Sequence, residues 1–321
     1  MSKATVVVTR RIPAPALAYI NEHCTMRLWD SDDSIPRATL LDWVQGSDGI
    51  LCLLTEAINA ELLEAAGPQL RVVSTMSVGF DHIDMEACRA RGVQVGNTPG
   101  VLTETTADLT IALLLATARR LTEAHDAVRN GEWSTWQPEW MAGYDVYGST
   151  VGIIGLGRIG MAFARRLAGF NCRLLYTNPT PAPGRAAEVG ALYVEMDELL
   201  ATSDFISIHC QLSPETRDLF NPDAFAKMKK SAILINTSRG GVVDQDALYT
   251  ALTTGEIAGA GLDVTTPEPL LADHPLVALP NCLILPHIGS ASHATRTKMA
   301  LLAAQNLVAG VAGNSLPAAV G

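Results

Sequence analysis

VGIIGLGRIG, residues 151–160, is the stretch that decides the fold of this chain. It places G-x-G-x-x-G between an apolar run typical of a strand and a stretch with helical spacing. In that setting Gly155 permits a tight turn, Gly157 lets the backbone approach a pyrophosphate, and Gly160 lets helix and strand pack closely. The first N–H groups of the helix then face the phosphates. A glycine-rich turn without a ligand is the alternative, and the surrounding pattern argues against it.

Seven apolar runs surround this motif and alternate with helical stretches. Such alternation predicts a parallel, doubly wound sheet, with ligands at the carboxyl ends of its strands. The predicted strands are 151–155, 173–177, 191–194, 205–209, 232–237, 259–264 and 282–286, and the helices between them include 159–169, 196–202 and 244–253.

The first hundred residues predict a smaller α/β domain. A single helix over 103–130, capped by Thr103, is expected to connect it to the larger one, and a loop with three tryptophans follows. A last helix at 292–310 is expected to pack back on the first domain. The predicted domains are therefore 1–99 with 287–321 and, between them, 100–286. Within the first, strands are predicted at 5–9, 49–53 and 71–75, and helices at 13–24, 36–45 and 58–66.

Composition excludes several classes of protein. The 321 residues are 48% hydrophobic and 17% charged, which provides for buried cores and disfavours a disordered chain. A net charge of −10 disfavours binding to nucleic acid or to anionic membranes. No apolar run approaches the length of a membrane span. The six cysteines are scattered singly and no signal peptide is visible, so a cytoplasmic protein is expected.

The end of the second strand of the larger sheet bears on the choice of cofactor. An acid there would bind the ribose hydroxyls of NAD, and a base would accept the 2′-phosphate of NADP. The sequence at 175–180 is LYTNPT, so Asn178 stands where an acid is expected, and the nearest cation is Arg185. We therefore expect NADP to be preferred, with NAD as the alternative.

Three other strand ends carry side chains suited to chemistry. Arg239 can bind a carboxylate through two parallel hydrogen bonds and stays charged at any working pH. Taken singly, Arg239, Glu268 and His287 each have an ordinary structural explanation, and their joint placement at one edge of one sheet favours a catalytic site. The motifs are N-T-S-R-G at 236–240, L-D-V at 262–264, P-E-P at 267–269 and P-H-I-G-S-A at 286–291.

In this order the motifs resemble those of the D-isomer-specific 2-hydroxyacid dehydrogenases, and within that family most closely the glyoxylate/hydroxypyruvate reductases. S-V-G-F-D at 77–81, T-E-T-T-A-D at 103–108 and the tryptophan-rich loop at 133–147 extend the resemblance over nearly the whole chain. It implies an oxidoreductase with two Rossmann-like domains. One would be a doubly wound parallel-sheet domain for the dinucleotide, and the other a smaller flavodoxin-like domain for the substrate.

The resemblance also implies roles for single residues. Arg239 would hold the carboxylate and keto oxygen of a small 2-oxo acid, His287 would protonate that oxygen, and Glu268 would orient His287. It implies substrate contacts at Leu53, Val78, Gly79, Ser290 and Trp140. It implies cofactor contacts at Thr106, Gly155, Gly157, Arg158, Ile159, Gly160, Asn178, Thr237 and Asp263, the last through the nicotinamide carboxamide. It implies a homodimer in which Trp140 reaches the partner's active site, and no metal.

Other members of the family fit less well. Phosphite-oxidising relatives carry a lysine where this chain has Val78, and formate dehydrogenases pair the histidine with glutamine where it has Glu268. Phosphoglycerate dehydrogenases usually add a regulatory domain, and none is visible. Two alternatives stay open: a reductase of 2-ketogluconate, and a non-enzymatic corepressor that senses dinucleotide on the same scaffold.

Overall fold

The computed structural model describes residues 3–320 and divides into two compact units. One comprises the described residues up to Leu102 and from Ser290 onward, and the other is Thr103–Gly289. At both points the chain passes from one unit to the other three residues later than predicted. At the first crossing the helix itself begins at Thr103. At the second, the turn ending at Gly289 is hydrogen-bonded to Asp263 and so stays with the second unit.

The first unit is built on a five-stranded parallel sheet in the order β2-β1-β3-β4-β5. This is the flavodoxin-like order, which confirms the predicted fold. Its strands are β1 (Thr5–Val8), β2 (Thr25–Leu28), β3 (Gly49–Cys52), β4 (Val72–Thr75) and β5 (Gln94–Gly96). Its helices are α1 (Ala14–His23), α2 (Arg37–Trp43), α3 (Ala60–Ala66), α4 (Met85–Ala90) and, from the end of the chain, α12 (His293–Val311).

Helix α12 covers one face of this sheet, as expected for the last helix. A Cβ on Gly310 would come within 2.5 Å of the Val72 side chain, so glycine allows the helix to approach β4 closely. The buried Ser74 hydroxyl donates to the Ala303 carbonyl at 2.8 Å, which fixes the helix along the strand.

The second unit is built on a seven-stranded parallel sheet in the order β12-β11-β10-β9-β6-β7-β8. Counted from β6, this is the dinucleotide-binding order 3-2-1-4-5-6 with one strand added, which confirms the predicted fold. Its strands are β6 (Thr150–Ile154), β7 (Arg173–Thr177), β8 (Leu192–Tyr193), β9 (Phe205–Ile208), β10 (Ile233–Asn236), β11 (Gly259–Leu262) and β12 (Cys282–Ile284).

Helices cover both faces of the larger sheet and bury two hydrophobic clusters against it. They are α5 (Thr103–Ala118), α6 (Leu121–Arg129), α7 (Arg158–Arg166), α8 (Pro183–Val189), α9 (Met196–Thr202), α10 (Pro222–Lys227) and α11 (Gln245–Thr254). No helix within residues 3–320 combines the length and the apolar character needed to cross a membrane. All six cysteines are free thiols.

The prediction of one helix over 103–130 is wrong. Helix α5 ends at Ala118, and α6 starts at Leu121 after Arg120 adopts a left-handed conformation with φ of 53°. The carbonyl of Ala118 accepts the N–H of Tyr144 at 2.9 Å instead of continuing the helix. A Cβ on Gly143 would collide with that carbonyl, so the loop closes on the helix end only because residue 143 is glycine.

Candidate functional site

The glycine loop has the shape needed to hold a dinucleotide. Gly155 has φ of +97°, and a Cβ there would come within 2.8 Å of the Cys210 backbone nitrogen, so no other residue fits. A Cβ on Gly157 would meet nothing within 4 Å and would project into an open cradle. Helix α7 starts next to it without a side-chain cap, so its first N–H groups are available to phosphate oxygens.

Two side chains contact this loop, Asn178 directly after β7 and Arg185 on helix α8. Asn178 Oδ1 accepts the N–H of Leu156 at 2.7 Å, and Arg185 Nη1 donates to the Leu156 carbonyl at 3.4 Å. Asn178 therefore fixes the glycine loop, and Arg185 points toward the loop. Arg158 is exposed at the start of α7, and Ile159 beside it is half-buried. The side of the glycine loop where a ribose is expected thus carries Arg158, Arg185 and the Asn178 amide.

Arg239 follows β10 in a turn built by Asn236. The Asn236 side chain is fully buried, accepts the N–H of Ser238 at 3.0 Å and donates to the Arg239 carbonyl at 2.9 Å. Arg239 Nη1 donates to the Ser238 carbonyl at 2.9 Å. Sequence reasoning missed Asn236, although an amide directly before a polar turn is a typical signal for such a side-chain cap.

His287 and Glu268 form the pair that the sequence predicted. His287 Nδ1 lies 2.8 Å from Glu268 Oε2, with about a quarter to a third of each side chain exposed. The Thr265 N–H donates to Glu268 Oε1 at 3.1 Å. Burial opposes ionisation of Glu268, but the hydrogen bond and charge of His287, the Thr265 amide and the charge of Arg239 together hold its pKa below the ordinary value. The Glu268 carboxylate therefore contacts Nδ1 and orients the imidazole ring.

Asp263 holds the backbone on which His287 stands. Its two carboxylate oxygens accept the N–H groups of Ile288 and Gly289, each at 2.7 Å, and the residue is 1% exposed. His287 itself has φ of 53°, a conformation that must be imposed by its surroundings. Burial raises the pKa of Asp263, an effect that the two amides and the charge of His287 oppose. The contacts observed are thus with the histidine turn, and the contact with a nicotinamide carboxamide stays a prediction.

Two threonines predicted to contact the cofactor are buried, Thr106 within helix α5 and Thr237 directly after β10. Thr110, which the sequence analysis did not single out, donates to the Thr106 carbonyl at 2.8 Å and lies 2.9 Å from the Thr237 hydroxyl. Thr106 is 5% exposed and Thr237 9%. Thr110 therefore links helix α5 to the residue that follows β10.

The remaining predicted substrate residues are distributed over both units. Leu53, Val78, Gly79 and Ser290 belong to the first unit, where Leu53 follows β3 and Val78 and Gly79 follow β4. Trp140 belongs to the second unit and is half-buried. Two neighbours of Trp140 in the same loop are far more exposed, Trp133 at 63% and Trp136 at 80%.

Comparison with known proteins agrees with this geometry. Residues 111–289 match the model of the D-isomer specific 2-hydroxyacid dehydrogenase family, NAD binding domain. The human glyoxylate reductase/hydroxypyruvate reductase is 55% identical over 316 residues, covering 97% of this chain and 96% of that protein. The chain belongs to the D-isomer-specific 2-hydroxyacid dehydrogenases. It is therefore an oxidoreductase that binds a nicotinamide dinucleotide, as the sequence predicted.

Solved structures resemble this dehydrogenase over its full length. A protein from Thermus thermophilus is 45% identical, with a TM-score of 0.92 over 99% of this chain and 100% of that one. The NADPH-dependent glyoxylate/hydroxypyruvate reductase of Sinorhizobium meliloti, solved with NADP and malonate, is 34% identical. Its TM-score is 0.86 over 100% of this chain and 97% of that one.

The charge on Glu268 generates a prediction about stability. Because the pKa of Glu268 is lowered from 4.5, its ionised form stabilises the fold above about pH 4.5, and this contribution is lost as the pH falls further. Glu268→Gln should therefore lower Tm at pH 7, and the difference from the wild type should shrink toward pH 4. Thermal melts across this range test it, with Glu64→Gln on the exposed face of α3 as the control for a lost charge. A difference in Tm that stays constant down to pH 4 would contradict the assignment.

Proposed function

We propose that this dehydrogenase reduces glyoxylate and hydroxypyruvate to their 2-hydroxy acids, the D isomer in the case of hydroxypyruvate. The observation that supports this most directly is the His287–Glu268 pair beside Arg239 at the carboxyl edge of the dinucleotide-binding sheet. The human and Sinorhizobium meliloti relatives are glyoxylate/hydroxypyruvate reductases, which supports the same substrate class. We assign cofactor binding to Thr103–Gly289 and substrate binding chiefly to the other unit.

The proposed reaction needs a proton, a fixed orientation and a positive field. A bound nicotinamide supplies the hydride to the carbonyl carbon. His287 uses Nδ1 to contact Glu268, so Nε2 is the nitrogen that gives its proton to the keto oxygen. Glu268, whose pKa is lowered, stays ionised and orients the imidazole for the transfer through its contact with Nδ1. In the oxidation direction, the neutral imidazole takes the same proton back.

Arg239 supplies the positive field. The chain carries a net charge of −10, so an anionic substrate requires a local cation to offset the repulsion. Asn236 fixes the turn that presents the guanidinium, which can bind the substrate carboxylate and the keto oxygen.

Removing the proton donor gives the central test of the reaction. His287→Ala should lower kcat by about 10²–10⁴-fold, as expected for the loss of a general acid, and should leave the Kd for NADPH unchanged. His23→Ala, at an exposed histidine that ends α1, is the matched control. Steady-state rates with glyoxylate and hydroxypyruvate measure the effect. A His287→Ala enzyme with more than half of the wild-type turnover would refute the role.

A preference for NADPH is the finer part of the proposal. The end of β7 offers no carboxylate to a ribose, and Arg185 points toward the glycine loop with Arg158 exposed nearby. Cations at this position favour a 2′-phosphate. The Sinorhizobium meliloti relative is NADPH-dependent and was solved with NADP, which supports the same choice.

Asn178→Asp tests the preference with little change in structure. An aspartate can still accept the N–H of Leu156, which Asn178 accepts at 2.7 Å, while its charge repels a 2′-phosphate. The ratio of kcat/KM for NADPH over NADH should exceed one in the wild type and fall at least tenfold in Asn178→Asp. Arg185→Ala should also lower it. Arg165→Ala, which removes an exposed arginine paired with Glu188, should not. A wild-type ratio below one would overturn the preference.

A homodimer is the second finer part of the proposal. Helix α6 and the loop after it expose large apolar side chains, namely Leu121, Val128, Trp133, Trp136 and Tyr147, each more than half exposed. A concentration of apolar groups on one segment is typical of a protein interface. Because Trp140 is half-buried, Trp136 is the tryptophan better placed to reach the partner's active site.

Two tryptophan variants distinguish these roles. Trp136→Ala should alter the relative kcat/KM values for glyoxylate, hydroxypyruvate, pyruvate and 2-ketogluconate, and should leave the Kd for NADPH unchanged. Trp140→Ala should change the ratios less.

The same panel of substrates separates the alternative functions, because a 2-ketogluconate reductase would prefer that acid and a corepressor would reduce none. Light scattering gives the oligomeric state, and a monomeric wild type would contradict the dimer.

A further inference from the structure

The loop that follows β4 turns three successive carbonyls inward. The Ser77 carbonyl accepts the N–H of Thr98 at 2.8 Å, and the Val78 carbonyl accepts from Asn97 Nδ2 at 2.8 Å. The Gly79 carbonyl accepts from the Ser77 hydroxyl at 2.6 Å. Ser77 and Asn97 are 5% and 8% exposed, so both donors stand inside the unit.

This arrangement dictates where the amides of the loop point. In a trans peptide the C=O and the N–H of the same plane point in opposite directions, and the peptides of this loop are trans. Carbonyls directed inward at 77, 78 and 79 therefore direct outward the N–H groups of Val78, Gly79 and Phe80. Within residues 3–320, none of these three N–H groups donates a hydrogen bond, and all three residues are half-buried.

A buried relay orients the Ser77 hydroxyl. The Gly79 carbonyl can only accept, so Ser77 must donate to it. The Thr75 hydroxyl, 2.8 Å from that of Ser77, must then donate to Ser77, and His82 Nε2, 3.1 Å away, must donate to Thr75. The relay holds the Gly79–Phe80 peptide in a single orientation.

A second buried network holds Asn97. The side chain of Asn306 is fully buried, donates to the Asn97 carbonyl at 2.9 Å and accepts the N–H of Ala318 at 2.9 Å. Polar networks of this kind are stable only when every member is satisfied, and they then fix one conformation. Asn306 on α12 therefore holds Asn97 in place, and Asn97 in turn orients the Val78–Gly79 peptide.

We infer that Ser77 and Asn97 are positioning residues that aim three consecutive amides, those of Val78, Gly79 and Phe80, at the carboxylate of the 2-oxo acid. The inference rests on the proposed function for the identity of the anion. It adds Phe80 as a third donor and assigns the aim of the loop to two buried side chains. Amides fixed before binding need no reorganisation when the anion arrives, so they discriminate strongly for negative charge.

Ser77→Ala is the test, and Ser74→Ala is its matched control. Both serines are buried, and both donate to a backbone carbonyl, but the hydroxyl of Ser74 binds helix α12 and not the loop. Ser77→Ala should raise both the KM for glyoxylate and the Ki for oxalate about 5- to 30-fold, the effect of weakening one hydrogen bond to a charged group. The kcat and the Kd for NADPH should stay within twofold of wild type.

Ser74→Ala should lower Tm without moving KM or Ki. Asn97→Ala acts on a different peptide of the loop and should reproduce the rise in KM and Ki even if Ser77→Ala fails to fold. Unchanged KM and Ki in a folded Ser77→Ala or Asn97→Ala enzyme would overturn the inference, as would an equal rise in Ser74→Ala.

Failure of the proposed function is recognised separately. If the wild type reduces no 2-oxo acid, calorimetric titration with oxalate still tests the loop. Oxalate that binds to the wild type and to Ser74→Ala but more weakly to Ser77→Ala would support the loop as an anion site. Equal binding to all three would refute it.

Discussion

Two hydrogen bonds from the amides of Ile288 and Gly289 to the Asp263 carboxylate are the interaction on which the candidate site depends. They stabilise the left-handed backbone of His287, and that backbone directs the imidazole to Glu268. Because parallel strands bring their carboxyl ends to one edge, β11 and β12 place these residues together although they are distant in sequence. A change in the carboxylate of Asp263 would therefore alter the orientation of His287, the proposed proton donor, without a direct contact to its ring.

The candidate site is supported by amide and hydroxyl side chains that take no part in the proposed reaction. Asn236 shapes the turn of Arg239, Thr110 fixes Thr237, and Asn178 holds the glycine loop. Asn236 and Asn178 satisfy backbone groups in the turns that follow strands, and Thr110 joins a carbonyl of its own helix to the Thr237 hydroxyl. The reactive side chains are consequently few, while the residues that orient them are spread over several strand ends.

The sequence was sufficient for the fold class of both units and for the strands of the larger sheet, and its motifs identified the residues of the His287–Glu268 pair, because glycine spacing and charged strand ends are local signals. It failed where distant contacts decide the structure. The break at Arg120 depends on Gly143 and Tyr144, more than twenty residues away, and nothing in the helical pattern of 103–130 reveals it. Short strands such as β2 and β5 were missed because their side chains are partly polar. The difference in exposure between Trp136 and Trp140 follows from the fold of the loop and not from the spacing of its tryptophans.

The position of α12 in the chain has a consequence for biosynthesis. This helix covers Val72 and Ser74 of β4, but the ribosome makes it only after the whole of Thr103–Gly289. The N-terminal sheet therefore leaves the exit tunnel with one apolar face uncovered and must wait for nearly two hundred further residues before that face is closed. The unit that begins first is thus completed last, the reverse of the usual order in which N-terminal domains fold during translation.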